Sequence, residues 1–156
     1  GRQRSYLLAQ GYRYDVVDAV LAARANNAAG AFRTVKALSG MVTEESWPTF
    51  LQAYARCVRI SRDQKESFTV DASLLADPAE KDLLASLQDL EKQQPYAGFA
   101  EFKAAFEPAI PVINAFFDKV MVMDENPKVR ANRLGMLQRI AALPAKLADL
   151  SLLEGF

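Results

Sequence analysis

The sequence predicts an all-α fold, a compact helical bundle, and three observations carry that expectation. Apolar residues recur at three- and four-residue spacing nearly throughout. Alternating runs of the kind a half-buried strand needs are scarce, and capping residues mark several helix starts. At 156 residues the chain suits one domain spanning 1–156, able to bury roughly two-thirds of its unfolded surface. No segment repeats at a fixed period, which argues against a solenoid.

The elements follow in chain order. The stretch 15–25 (DVVDAVLAARA) is rich in Ala, Val and Leu, and Asn26 and Asn27 interrupt it. A second helix is expected from Ala28 to Ser39, ending at Gly40, with Phe32, Val35 and Leu38 on one face. A third begins near Thr43 or Ser46, both suitable N-caps, with Glu44 and Glu45 at the positive end of the dipole and Pro48 in the first turn. Residues 63–71 lack helical periodicity, and Phe68-Thr69-Val70 reads as a short extended link. Asp77-Pro78-Ala79-Glu80 combines an Asp cap, Pro at the first helical position and Glu at the third, starting a helix that reaches about Gln93. The apolar region 96–122 contains Pro108 and Pro111, so it forms two helices or one sharply kinked helix. The last long helix starts with Asn126 as cap and Pro127, and ends near Leu143-Pro144.

Composition narrows the chemistry. With 51% apolar and 24% charged residues the chain is not intrinsically disordered. No run approaches the ~20 apolar residues of a membrane span. A lone cysteine, Cys57, leaves no internal disulfide, and the absence of histidine removes both a His/Cys zinc site and the Ser-His and Cys-His nucleophile pairs. These features point to a reduced, cytoplasmic, metal-free domain without catalytic residues, cofactor or membrane contact. The chain opens on Arg2 and Arg4 without an initiator methionine, as expected of a piece of a longer polypeptide. Net charge is zero, yet residues 1–70 carry +4 and residues 71–156 carry −4. A nucleic-acid contact would therefore be a local patch rather than a whole basic surface.

Helical wheels sort the charged side chains. In the third helix Trp47, Phe50, Leu51, Tyr54 and Val58 gather on one face, while Arg56 and Arg59 fall opposite, one turn apart. That pair suits phosphates or base edges, or forms an ordinary solvated face. In the last helix Arg133 lies inside the stripe of Val129, Met136, Leu137 and Ile140. A buried guanidinium needs a partner; Asp118, which interrupts the apolar run 115–123, is the expected one, giving a structural Asp118–Arg133 pair. Asn132, at the edge of the stripe, caps a nearby loop or meets a ligand. Lys128 and Arg130 oppose the dipole in their helix's first turn. Either Asp124 and Glu125 neutralise them, or they stand beside free backbone N–H groups as a phosphate site. Phe116, Phe117, Met121 and Met123 read as core.

The run from Pro111 to Met123 (PVINAFFDKVMVM), followed by Arg130 to Leu134 (RANRL), resembles the C-terminal end of the β subunit of bacterial glycyl-tRNA synthetases. The tail from Ala148 to Leu153 (ADLSLL) is similar to the same family's ending. Upstream, Asp18–Ala22 (DAVLA), Val35–Leu38 (VKAL) and Val70–Leu75 (VDASLL), with Glu80 after it, resemble further family segments in the same order. Arg56 matches the family's basic segment, whereas Ala55 and Arg59 stand where the family has lysine and asparagine.

The resemblance implies an all-helical anticodon-binding domain of the DALR type at the C-terminus of a longer synthetase chain. It implies contact with the anticodon region of glycine tRNA, and with other synthetase domains or the α subunit. ATP and Mg would act elsewhere in the parent ligase, and this domain would position tRNA for a remote catalytic site. Arg56, Arg59, Lys128 and Arg130 then become the candidate RNA-facing cations, and Phe116, Phe117, Asp118 and Arg133 are assigned to packing. The alternative is a helical protein-interaction module that holds synthetase subunits or domains together.

Overall fold

A computed structural model describes residues 1–156. It contains eight α-helices: α1 (Arg2–Ala9), α2 (Tyr14–Arg24), α3 (Ala28–Met41), α4 (Trp47–Ser61), α5 (Pro78–Lys92), α6 (Phe99–Phe106), α7 (Ile110–Lys119) and α8 (Pro127–Ala142). Three 3-10 turns (Ala72–Leu74, Glu107–Ala109 and Leu150–Leu152) complete the regular structure, and there is no strand. The expected all-α class is observed. Helix α1 has no counterpart in the sequence expectations, because its start carries no capping side chain and its apolar residues are few. Pro108 sits in the 3-10 turn that separates α6 from α7, so the proline-containing region forms two helices.

The chain divides into two compact units. The first comprises Gly1–Ala55, Tyr96–Lys103 and Pro144–Phe156. Its core includes Val16, Val20, Val35 and Leu38, with an aromatic group in which Phe50 and Phe99 are 6.3 Å apart edge to face. Phe32, expected on the same inner face, is 39% exposed instead. The two ends of the chain meet in this unit. The buried Asp15 carboxylate accepts hydrogen bonds from Arg13 (2.6 Å) and from the backbone N–H of Glu154 (3.0 Å). The Asp149 N–H donates to the Ala19 carbonyl at 2.8 Å. Burial pushes the Asp15 carboxyl upward in pKa, but the Arg13 and Glu154 donors outweigh it and hold it below the usual carboxylate value.

The second unit comprises Arg56–Pro95 and Ala104–Leu143. Helix α5 packs on α7 and α8 through Leu83, Leu87, Ile113, Phe116, Leu137 and Ile140. Its start is the expected capping box: Asp77 caps the first turn and its own N–H donates to Glu80 Oε1 at 3.1 Å. The extended link is clamped by amide side chains of α8. Asn132 accepts from the Asp71 N–H and donates to the Asp71 carbonyl, both at 2.7 Å. Gln138 does the same across Phe68 N–H (2.9 Å) and the Glu66 carbonyl (2.7 Å). Gly135 lies between them, where a Cβ would stand 2.9 Å from the Phe68 carbonyl oxygen. Of the two roles open to Asn132, it takes the loop-holding one.

The expected Asp118–Arg133 pair does not form. Arg133 Nε donates to the buried Glu80 Oε2 at 3.0 Å, and its Nη1 donates to the Met121 carbonyl at 2.6 Å. Asp124 adds an ion-pair contact at 3.6 Å. Asp118 is exposed near the end of α7. Arg133 does have the anionic partner its place in the stripe demands, but that partner comes from the first turn of α5. Met121 and Met123 also depart from expectation, at 71% and 48% exposure, while Val120 and Val122 are buried. The chain leaves α7 in an extended conformation at Val120 and turns at Val122 and Met123, so these side chains no longer share a helical stripe.

Four expected outcomes follow from this packing. Chemical denaturation will show Gly135→Ala less stable by about 1–3 kcal/mol, because the clash with backbone exceeds the helix-propensity gain of about 1 kcal/mol. Gly40→Ala, with nothing within 4 Å of the added atom, will be more stable by about 0.5–1 kcal/mol. Arg133→Leu will lose about 3–5 kcal/mol by stranding the Glu80 carboxylate, against a change within about 0.5 kcal/mol for Asp118→Asn. Asp15 contributes stability that is complete above the ordinary carboxylate pKa of about 4 and lost as pH falls through its lower folded value. A thermal-melt series will therefore show a smaller loss of Tm on acidification for Asp15→Asn than for the unaltered chain.

Candidate functional site

The four candidate cations, Arg56, Arg59, Lys128 and Arg130, all belong to the second unit. Arg56 and Arg59 stand one turn apart near the end of α4, because Cys57 and Ser61 take that helix's inward positions there. The Ser61 hydroxyl donates to the Cys57 carbonyl at 2.6 Å, satisfying it inside the fold. Burial pushes the Cys57 thiol up to about 12, so it stays protonated and unreactive at neutral pH.

Arg56 is half-buried and Arg59 exposed. The two line an open depression together with Ile60 and Phe117. Within it the Arg56 guanidinium carbon lies over the Phe117 ring, 4.3 Å from its centroid, within the range of a cation–π contact. No carboxylate reaches Arg56, in contrast to Arg4 with Asp18 (2.7 Å) and Arg133 with Glu80 (3.0 Å). Phe117 is half-buried, whereas its neighbour Phe116 is fully enclosed. The expectation that both phenylalanines are core holds for Phe116 alone. Phe117 lies a 100° step around α7 from Phe116, which carries it to the boundary of the buried face occupied by Ile113 and Phe116.

Lys128 and Arg130 are placed by a different element, the first turn of α8. Asn126 caps that turn, its Oδ1 accepting from the Lys128 N–H at 2.9 Å and the Val129 N–H at 3.4 Å. The Arg130 N–H donates to the Asn126 carbonyl at 2.9 Å, and Pro127 has no N–H to offer. The free amides that would make this helix start a phosphate cradle are thus already engaged. Any anion contact here relies on side chains. Arg130 directs one guanidinium N–H to the Asp124 carbonyl at 2.8 Å, bracing the preceding loop. Lys128 is exposed, with no carboxylate within 4 Å of its ammonium. The hydroxyl and backbone N–H of Ser73 hold the Asp71 carboxyl below its usual range, and the Lys128 charge adds to that more weakly.

No group of three or more Cys, Asp or Glu side chains is arranged to hold a metal ion, and no helix is long and apolar enough to cross a membrane. The surface around the candidate cations offers guanidinium and aromatic groups at Arg56, Arg59 and Phe117 and an exposed ammonium at Lys128. That chemistry recognises anions and π systems by contact.

No protein-family model matches the chain. Similar proteins nevertheless exist along nearly its whole length. The glycine–tRNA ligase β subunit of Anaeromyxobacter sp. (strain K) is 38% identical over 144 residues, covering 86% of this chain and 20% of that protein. The β subunit of the same name from Moorella thermoacetica is 35% identical over 156 residues, covering 96% of this chain and 22% of its own. That from Proteus mirabilis is 37% identical over 161 residues, covering 99% and 23%. The chain spans about a fifth of the length of the curated relatives it matches. Nearly every residue of this helical chain is thus aligned with one stretch of the glycine–tRNA ligase β subunits, and it is to that stretch that the chain is similar.

Proposed function

We propose that the chain is the tRNA-binding segment of a glycine–tRNA ligase β region, an anticodon-binding domain of the DALR type. It would hold glycine tRNA in place for aminoacylation at an ATP-dependent site elsewhere in the enzyme, with the α subunit or other synthetase domains as its protein partners and the cytoplasm as its compartment. The observation that carries this reading is the Arg56–Arg59 depression. A guanidinium ordered on an aromatic ring, one turn from a second arginine and without a carboxylate partner, keeps its charge available to a phosphate. Lys128 supports it as a second exposed charge. The role is positional: side-chain cations fix the register of the RNA backbone and no bond is made or broken in this segment. A net charge of zero suits a contributor to a larger RNA footprint, since phosphate contacts supply most sequence-independent affinity.

Fluorescence anisotropy of the 156-residue chain with labelled glycine tRNA, repeated across a salt series, tests this. Affinity will fall steeply with salt. Arg59→Glu combined with Lys128→Glu will weaken binding by on the order of tenfold and make the salt slope shallower by about two, with circular dichroism verifying that the variant is folded. Unchanged affinity and slope would remove these cations from the RNA surface. Absence of tRNA binding, with retained binding to the remaining synthetase domains, would favour the protein-interaction role instead.

A further inference from the structure

The depression beside Arg56 has more in it than a phosphate contact needs. Its lining is Arg56, Arg59, Ile60 and Phe117, and it offers about 360 Å³ open to solvent. A phosphate clamp works through the N–H edges of guanidinium groups. Here one guanidinium lies on the ring of Phe117, and Ile60 and a second arginine, Arg59, form the rest of the wall. Those surfaces suit a flat, partly apolar ligand with a π face. A guanidinium already ordered by a ring beneath it loses little further freedom when a second planar group comes to rest against it. Unstacked bases in single-stranded RNA are such groups, and arginine planes and aromatic rings are the surfaces on which they rest.

We infer that the Phe117–Arg56 stack is a platform for one unpaired RNA base, with Arg59 taking the adjoining phosphate. This rests on the RNA-binding role proposed above and adds to it a stacking site for one base, built on Phe117, a residue the sequence places in the core. Within the platform the two residues divide the work. Phe117 orders Arg56, and Arg56 presents both charge and a planar face. Lysine at position 56 would keep the charge and lose the plane.

The 156-residue chain would be titrated with the anticodon stem-loop of glycine tRNA, intact and with single abasic residues placed in turn around the loop. At one loop position, loss of the base will weaken binding by on the order of tenfold. Arg56→Lys will bind the intact loop as weakly as the unaltered chain binds that abasic loop, with its salt slope unchanged. Phe117→Leu, which keeps the apolar volume, will lose the same base dependence, and circular dichroism will verify that it is folded. If every abasic loop binds as tightly as the intact one, or if both variants keep full base dependence, the platform is wrong while RNA binding stands. If the intact loop does not bind the unaltered chain at any salt concentration, the RNA-binding role fails and the platform fails with it.

Discussion

One buried carboxylate organises the second unit. Glu80 uses one oxygen to close the capping box of α5 and the other to receive the Arg133 guanidinium from the middle of α8. Arg133 in turn holds the Met121 carbonyl, so the start of one helix, the face of another and the loop after α7 are tied through a single charge pair. With side chains only 3% and 13% exposed, neither member can be removed alone without leaving the other charge stranded in a poorly solvated place. The pair is therefore less a source of net stability than a rule about arrangement. It requires α5 and α8 to meet in one register, and the loop 120–126 follows from that.

That register determines what the surface can display. Holding the Met121 carbonyl fixes the turn after α7, in which Val120 and Val122 are buried and Met121 and Met123 exposed. The α8 start is sealed by Asn126 and Pro127, which leaves its cations as side chains on a closed helix end. The α4 surface differs. There the guanidinium of Arg56 is ordered by a ring rather than by a carboxylate, so it is positioned without being neutralised. Arginines in this unit thus have different partners: Arg133 and Arg139 sit on the carboxylates of Glu80 and Glu91, and Arg56 sits on Phe117.

Local physics was legible in the sequence and long-range physics was not. Asp77-Pro78-Ala79-Glu80 and Asn126-Pro127 announce helix starts because a cap and its amides lie within three residues of each other. The need of Arg133 for a partner was also readable, since a cation on an apolar stripe is a desolvation problem wherever the stripe packs. The identity of the partner was not. Glu80 lies 53 residues away and was already explained by its role in the capping box, which hid its second use. Asp118 looked suitable only because it interrupts a neighbouring apolar run. The VMVM segment misled for a related reason: read as a continuation of α7 it looks uniformly apolar, whereas the helix ends at Lys119 and the chain passes through Val120 into a turn. Phe117 fell between categories because the 100° step from Phe116 reaches the edge of the helix's buried face, where a wheel cannot separate core from surface.

The order in which the chain visits its two units bears on how it is made. All of Arg56–Leu143 leaves the ribosome before Pro144–Phe156, the stretch that carries the amides of Asp149 and Glu154. The unit with the candidate RNA surface has all of its residues in hand before the other unit is complete. The other must wait, its first helices already exposed, until a segment nearly 140 positions downstream arrives to close over them. During that interval α2 lacks its final cover, and this is when a nascent chain would most need a chaperone.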